Sequence, residues 1–160
     1  MIKKSLLFFI FLSLLNCGIA RQRMEISDYL IYQKGKEIIG NDNLNSFIFE
    51  NDLKNIPFQQ FLSAKFKSNS LQEREITVTI EGGKYKLLFY DNDEFEKYIG
   101  NSNFAIKNQE SESNKTGNQS KFIAISVVND KNEDCLSEQS LYQNIVVSYL
   151  KKLKDEYLKQ

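Results

Sequence analysis

Two clusters of side-chain oxygens are the groups in this sequence best suited by type to chemistry. Asp91, Asp93 and Glu94 fall within four positions, and Asp130-x-Asn132-x-Asp134 sets an oxygen donor at every second position. Neighbouring carboxylates can divide acid and base roles between them, and alternating Asp/Asn donors open the loops that wrap calcium. The second pattern stops short. Cys135 stands where such a loop turns on glycine, and Leu141 where its bidentate glutamate belongs. The first cluster lacks the loop glycine as well. Both are therefore read as strand-end turns and helix caps, because Asp and Asn side chains readily bond the backbone amides beside them. Gly82-Gly83 is no phosphate cradle, since neither the lysine nor the helix of such a loop follows it. The chain has no histidine. That excludes Ser–His and Cys–His nucleophile pairs and removes the commonest ligand for zinc, copper and non-haem iron. No metal and no cofactor is expected, and any catalysis would run on carboxylates, lysine or tyrosine alone.

The N-terminus carries a different chemistry. Lys3-Lys4 precedes an apolar run from Ser5 to Leu15, closed off by Arg21 and Arg23. A basic start and an apolar stretch of this length form an export signal. The run is too short to cross a bilayer, which takes about 20 apolar residues. It ends in Leu14-Leu15-Asn16-Cys17, which resembles the lipobox of bacterial lipoproteins. The resemblance implies a leader over 1–16 cut before Cys17, diacylglycerol on the Cys17 sulfur, and a mature chain held to a membrane of the cell envelope, the outer membrane above all. It covers about the first 17 residues and implies nothing about the body that follows. Two or more acyl chains anchor firmly where one does not.

Composition bounds the body. Without the leader, 144 residues remain, enough for one domain with a modest core. The precursor has 21 basic and 21 acidic residues; losing Lys3 and Lys4 leaves 19 against 21. Such balance gives no electrostatic case for nucleic acid. With lipid on Cys17, Cys135 is left buried, free or paired between chains; without lipid, a Cys17–Cys135 disulfide is open to it.

The elements that must position these groups follow from periodicity. Residues 17–24 form a short lipidated tether. Ile26, Tyr29, Leu30, Ile38 and Ile39 suggest a loose helix over 25–39, and Leu44 to Phe49 a short strand or turn. Pro57 can open a helix in which Phe58, Phe61, Leu62 and Phe66 share a face. Residues 74–81 alternate apolar and polar, Gly82-Gly83 turns the chain, and 84–90 return: a β-hairpin. Asp93 and Glu96 suggest a capping box opening a helix that stops at Gly100. Residues 101–120 lose all pattern and read as a mobile surface loop. Lys121 to Asn129 is apolar on both faces, an interior strand. A long helix is expected from a cap at Ser137 to about Leu158, with Leu141, Ile145, Tyr149, Leu153 and Tyr157 in one stripe, widened by Val146 and Leu150.

These elements predict one α+β domain over 25–160: a small, mainly antiparallel sheet (hairpin 74–90 plus strand 121–129) packed with helices, the last of them long. The functional expectation is a lipid-anchored envelope lipoprotein that binds a protein partner without catalysis. The alternative is a small lipid-anchored envelope enzyme or hydrolase inhibitor working through carboxylate or tyrosine groups. The missing histidine and catalytic motifs favour the first.

Overall fold

A computed structural model describes residues 23–38, 43–52, 56–67, 74–105 and 120–160. The elements run β1 (Met24–Glu25), β2 (Leu30–Tyr32), β3 (Ser46–Glu50), α1 (Phe58–Phe66), β4 (Glu75–Ile80), β5 (Gly83–Phe89), α2 (Asn92–Tyr98), a 3₁₀ turn (Asn101–Asn103), β6 (Phe104–Ala105), β7 (Phe122–Asn129) and α3 (Gln143–Leu158). Five strands form one antiparallel sheet in the order β2-β3-β7-β5-β4, and β1 pairs with β6 in a short parallel ladder. The expected α+β class, the antiparallel sheet, the packed helices and the long C-terminal helix are all present.

β7 is the middle strand, and every one of its residues is buried. A run without alternation can only sit between two covered faces, and both faces are covered. On the first, Phe47, Phe49, Ile125, Val127, Leu87 and Phe89 pack beneath Phe58, Phe61 and Leu62 of α1 and Val146, Leu150, Leu153 and Tyr157 of α3. On the second, Ile48, Phe122, Ala124 and Tyr90 meet Ile26, Phe95, Ile99 and Phe104. Fully burying an aliphatic or aromatic side chain of this size contributes about 1.5–3 kcal/mol, so these two layers carry the fold.

Four sequence expectations need correction. The segment 25–39 is not a helix: it holds β1, β2 and an extended stretch through Gly35 to Ile38. Tyr29 and Ile31 pack on the first face, Leu30 and Tyr32 on the second, which is strand alternation. Pairing with β3 outweighs a weak helical periodicity already interrupted by Gly35. The hairpin loop is Glu81-Gly82, both at positive φ (47° and 84°), with Ile80 opposite Gly83. Gly83 is drawn into the ladder because the Tyr85 ring lies back over it: a Cβ there would come within 2.9 Å of that ring. The box that opens α2 is Asp91 with Glu94, two residues earlier than expected. Finally, α3 begins at Gln143. Between Leu136 and Gln143 the chain turns twice, and the Ser137 hydroxyl accepts from the Gln139 amide at 3.3 Å within the first turn.

Of the expected mobile loop over 101–120, residues 101–105 form the 3₁₀ turn and β6, with Phe104 buried; 106–119 lie outside the described residues, as do the leader and Cys17. Pro57 stands at the start of α1 as expected, and Lys67 ends that helix in the left-handed conformation.

Candidate functional site

The carboxylates flagged by type are absorbed into a structural network. Asp91 Oδ1 accepts from the Glu94 amide at 2.8 Å, and Glu94 Oε2 accepts from the Asp91 amide at 3.2 Å, satisfying two of the free N–H groups at the start of α2. Cations neutralise both carboxylates: Arg74 Nη2 lies 2.7 Å from Asp91 Oδ2 and its Nη1 3.7 Å from Glu94 Oε1, and Lys36 Nζ lies 2.7 Å from Glu94 Oε2. Asp93 stands apart on the exposed side of the helix. The pair that could have shared acid and base roles is thus split between a cap and the solvent.

The same lysine leads into a group that periodicity did not reveal. The Lys36 amide donates to Tyr90 Oη at 2.6 Å, and its ammonium donates to the Phe89 carbonyl at 2.7 Å and stands 4.8 Å from the centre of the Tyr90 ring. Tyr90 Oη lies 2.8 Å from both Ser46 Oγ and Ser126 Oγ. Ser126 spends its one proton on the Asn45 carbonyl at 2.7 Å, so towards Tyr90 and Ser46 it can only accept. Burial pushes the Tyr90 phenol above its ordinary range, against the lowering effect of its hydrogen bonds with Ser126, Ser46 and the Lys36 amide. Tyrosine, serine and lysine together could relay a proton, but here each hydroxyl is engaged. Gly35 closes over them, and a Cβ at Gly35 would overlap both Ser46 Oγ and Tyr90 Oη. A satisfied polar cluster of this kind fixes one arrangement of β3, β7, the end of β5 and the Gly35-Lys36 segment. The only hint in the sequence was a glycine where a helix was expected.

The second oxygen cluster folds on itself. Asn129 Oδ1 accepts from the amides of Lys131 and Glu133 at 3.0 and 2.9 Å. Asp134 accepts from Leu136 N and Asn45 N, each at 2.8 Å, and burial raises its carboxyl despite those bonds. The Asn129 and Asp134 oxygens point at backbone amides instead of a common centre, Asp130 and Asn132 are exposed on the turn, and among the described residues no three His, Cys, Asp or Glu side chains converge as a cation site. Beside them Cys135 is fully buried and unpaired, its thiol pushed up to about 12 by burial and then by Asp134 and Glu133.

The remaining candidate is a surface, and the sheet gives it a direction. β7 spans about 23 Å from Phe122 to Asn129 at the usual rise per residue. At its Phe122 end lie the rings of Phe104 (5.2 Å) and Phe95 (6.0 Å), and β1 pairs there through Met24 opposite Phe104. At its Asn129 end sits Tyr85, with the Tyr142 ring 5.8 Å away. The N-terminal segment therefore enters the body at one end, and the turn before α3 stands at the other. On that turn Leu141 is 94% exposed and Tyr142 40%. Leu141, expected in the core stripe, is the most exposed large apolar side chain among the described residues, because α3 starts two residues after it. Its neighbours in sequence Glu138, Gln139 and Asn144 are polar and exposed.

No helix among the described residues is long and apolar enough to cross a membrane. No protein-family model, no curated protein and no solved structure matches this chain.

Proposed function

We propose that this chain is a bacterial envelope lipoprotein, anchored through lipid on Cys17, whose body binds a protein partner and catalyses no reaction. The observation that carries the reading is the apolar run closing on Leu14-Leu15-Asn16-Cys17. β1 begins seven residues beyond that cysteine. A fully extended tether of this length reaches at most about 25 Å, so the β1–β6 end of the body rides close to the bilayer. The Leu141–Tyr142 turn, at the other end of β7, then projects away from it. An apolar side chain held in water beside polar neighbours suits a contact made with another protein. The absence of histidine, and the engagement of the buried hydroxyls and the Asp91–Glu94 pair within the fold, favour binding over catalysis.

Metabolic labelling with a fatty-acid analogue tests the anchor. The wild-type chain takes up label and fractionates with outer membranes, whereas Cys17→Ser does neither. Equal labelling of both would sink the reading.

A further inference from the structure

The sheet ends on β4, a six-residue strand whose outer side carries no neighbour among the described residues. Its backbone orientation follows from the register. The two-residue loop makes Ile80–Gly83 the closing hydrogen-bonded pair, so Val78–Tyr85 and Ile76–Leu87 are hydrogen-bonded as well. The Phe89 amide, donating to the Arg74 carbonyl at 2.8 Å, continues the same alternation. The N–H and C=O groups of Glu75, Thr77 and Thr79 therefore point outward, off the edge. Its protection is slight: β4 has no proline, no bulge and no inward-pointing charge, Glu75 at its start is its one charged residue, and its inward residues Ile76, Val78 and Ile80 are all buried. The opposite edge, β2, is three residues long and offers half the ladder.

We propose that β4 pairs antiparallel with β4 of a second copy of this chain, across a two-fold axis through Thr77, joining two five-stranded sheets into one of ten. The occupant is a second copy because the strand is complementary to itself in this register. Thr77 meets the second copy's Thr77, Glu75 meets its Thr79, and Ile76 meets its Val78, so exposed residues face exposed residues and buried face buried. All three outward-pointing residues fall in hydrogen-bonded pairs, giving roughly six new backbone bonds. Charge is compatible. Within β4 no like charges stand opposite each other, and each Glu75 faces a Thr79 whose own neighbour on β5 is Lys84. Moving the axis to Val78 shortens the ladder and brings Glu81 opposite Glu75 of the strand itself, whereas the axis at Thr77 sets Glu81 opposite Glu73, beyond the strand end. The axis at Thr77 therefore gives the longest ladder and keeps like charges outside it.

The test is the mass of the full chain by sedimentation, in a large excess of detergent micelles over protein. Wild type is expected to pass from monomer to dimer as concentration rises. Thr77→Lys and Thr77→Glu should each raise the dissociation constant by about tenfold or more, because like charges then meet on the axis. An equimolar mixture of the two should restore the dimer, since an ammonium then faces a carboxylate. The Thr77 side chain is exposed and stands opposite Lys86 on β5, so Thr77→Lys should melt slightly below the wild type and Thr77→Glu should not; a dimer lost in both variants is then not a loss of fold. A wild-type chain that stays monomeric up to about 100 µM overturns the proposal. So does self-association that neither variant weakens, or that the mixture fails to restore; in those cases any strand that β4 accepts, or any dimer that forms, is of another kind.

Discussion

The Tyr157 hydroxyl donates to Asn51 Oδ1 at 2.7 Å, joining the last turn of α3 to the end of β3 across 106 positions of sequence. Asn51 is oriented for this by its other end, where Nδ2 donates to the Ser120 carbonyl at 2.8 Å. The ring itself is fully buried among Phe49, Phe58 and Phe61, with centroids 4.9–6.5 Å away. Tyr157→Phe keeps that packing and removes only the hydroxyl. It should cost about 1–3 kcal/mol, the penalty for leaving a buried acceptor unsatisfied. Chemical denaturation measures it; a change below about 0.5 kcal/mol would mean that water satisfies Asn51.

The buried stripe of α3 makes a graded prediction. Leu150 is fully buried, Ile145 is half-buried at its margin, and Leu141 is 94% exposed before the helix starts. Leu150→Ala should therefore cost about 2–5 kcal/mol through lost burial and a residual cavity. Ile145→Ala should cost about 1–2 kcal/mol, and Leu141→Ala less than about 0.5 kcal/mol, as for an ordinary surface site. Thermal melts of the three variants check the order. A loss at Leu141 comparable with that at Leu150 would place the turn inside the core.

The same helix explains why the sequence was legible only in part. Its apolar residues were recognisable as a stripe, but a 3.6-residue period leaves the first turn ambiguous. Leu141 keeps the spacing by chance, while the Ser137 hydroxyl is used in a local turn. β4, β5 and β7 were readable because their alternation, or lack of it, reports how many faces are covered. β2 was not, because Tyr29-Leu30-Ile31-Tyr32 is apolar on both sides and only pairing with β3 gives it direction. The Tyr90–Ser46–Ser126 cluster was invisible for a related reason. Its members are 36 to 80 positions apart, and serine on a strand carries no signal of burial. Asp91 and Glu94 were noticed as acids, but their capping geometry depends on where β5 stops.

Asp28 and Lys154 form an ion pair that ties the β1–β2 turn to α3, with the lysine side chain 7% exposed and the aspartate 47%. The hydrogen bond from Lys154 holds the Asp28 carboxyl below its ordinary value, opposed by burial. Burial pulls Lys154 down, but the bonds to Asp28 and Asp155 outweigh it and leave the ammonium raised. A depressed carboxyl adds stability that is complete above its unfolded value and is lost as pH falls through the lower folded value. A raised ammonium adds stability that is complete below its unfolded value and is lost as pH rises through the higher folded one. The pair should thus act fully between about pH 4 and pH 10. Asp28→Asn should cost about 1 kcal/mol there, held to that by the exposure of the carboxylate. The gap between the denaturation midpoints of wild type and variant should narrow as pH falls below about 4, as Asp28 is protonated first in the unfolded chain and then in the folded one. A gap unchanged at low pH would assign the loss to packing.

Cys135 sets the alkaline limit. Its thiol is pushed from 9.0 up to about 12 in the folded chain, first by burial and then by Asp134 and Glu133. Between these values the unfolded chain has released a proton that the native chain keeps, so stability must fall as pH rises, at up to about 1.4 kcal/mol per pH unit. Comparison with Cys135→Ala isolates the thiol, because the phenols that burial also raises, those of Tyr85, Tyr90, Tyr149 and Tyr157, add their slope to both curves. Between about pH 8.5 and 10 the wild type should lose about 1 kcal/mol that Cys135→Ala does not lose, whatever the variant costs at neutral pH through its smaller side chain. Urea midpoints taken every half unit of pH give both curves. Parallel curves would mean that the Cys135 thiolate is tolerated in the native chain, and with it that the Val127–Cys135 end of the sheet admits water.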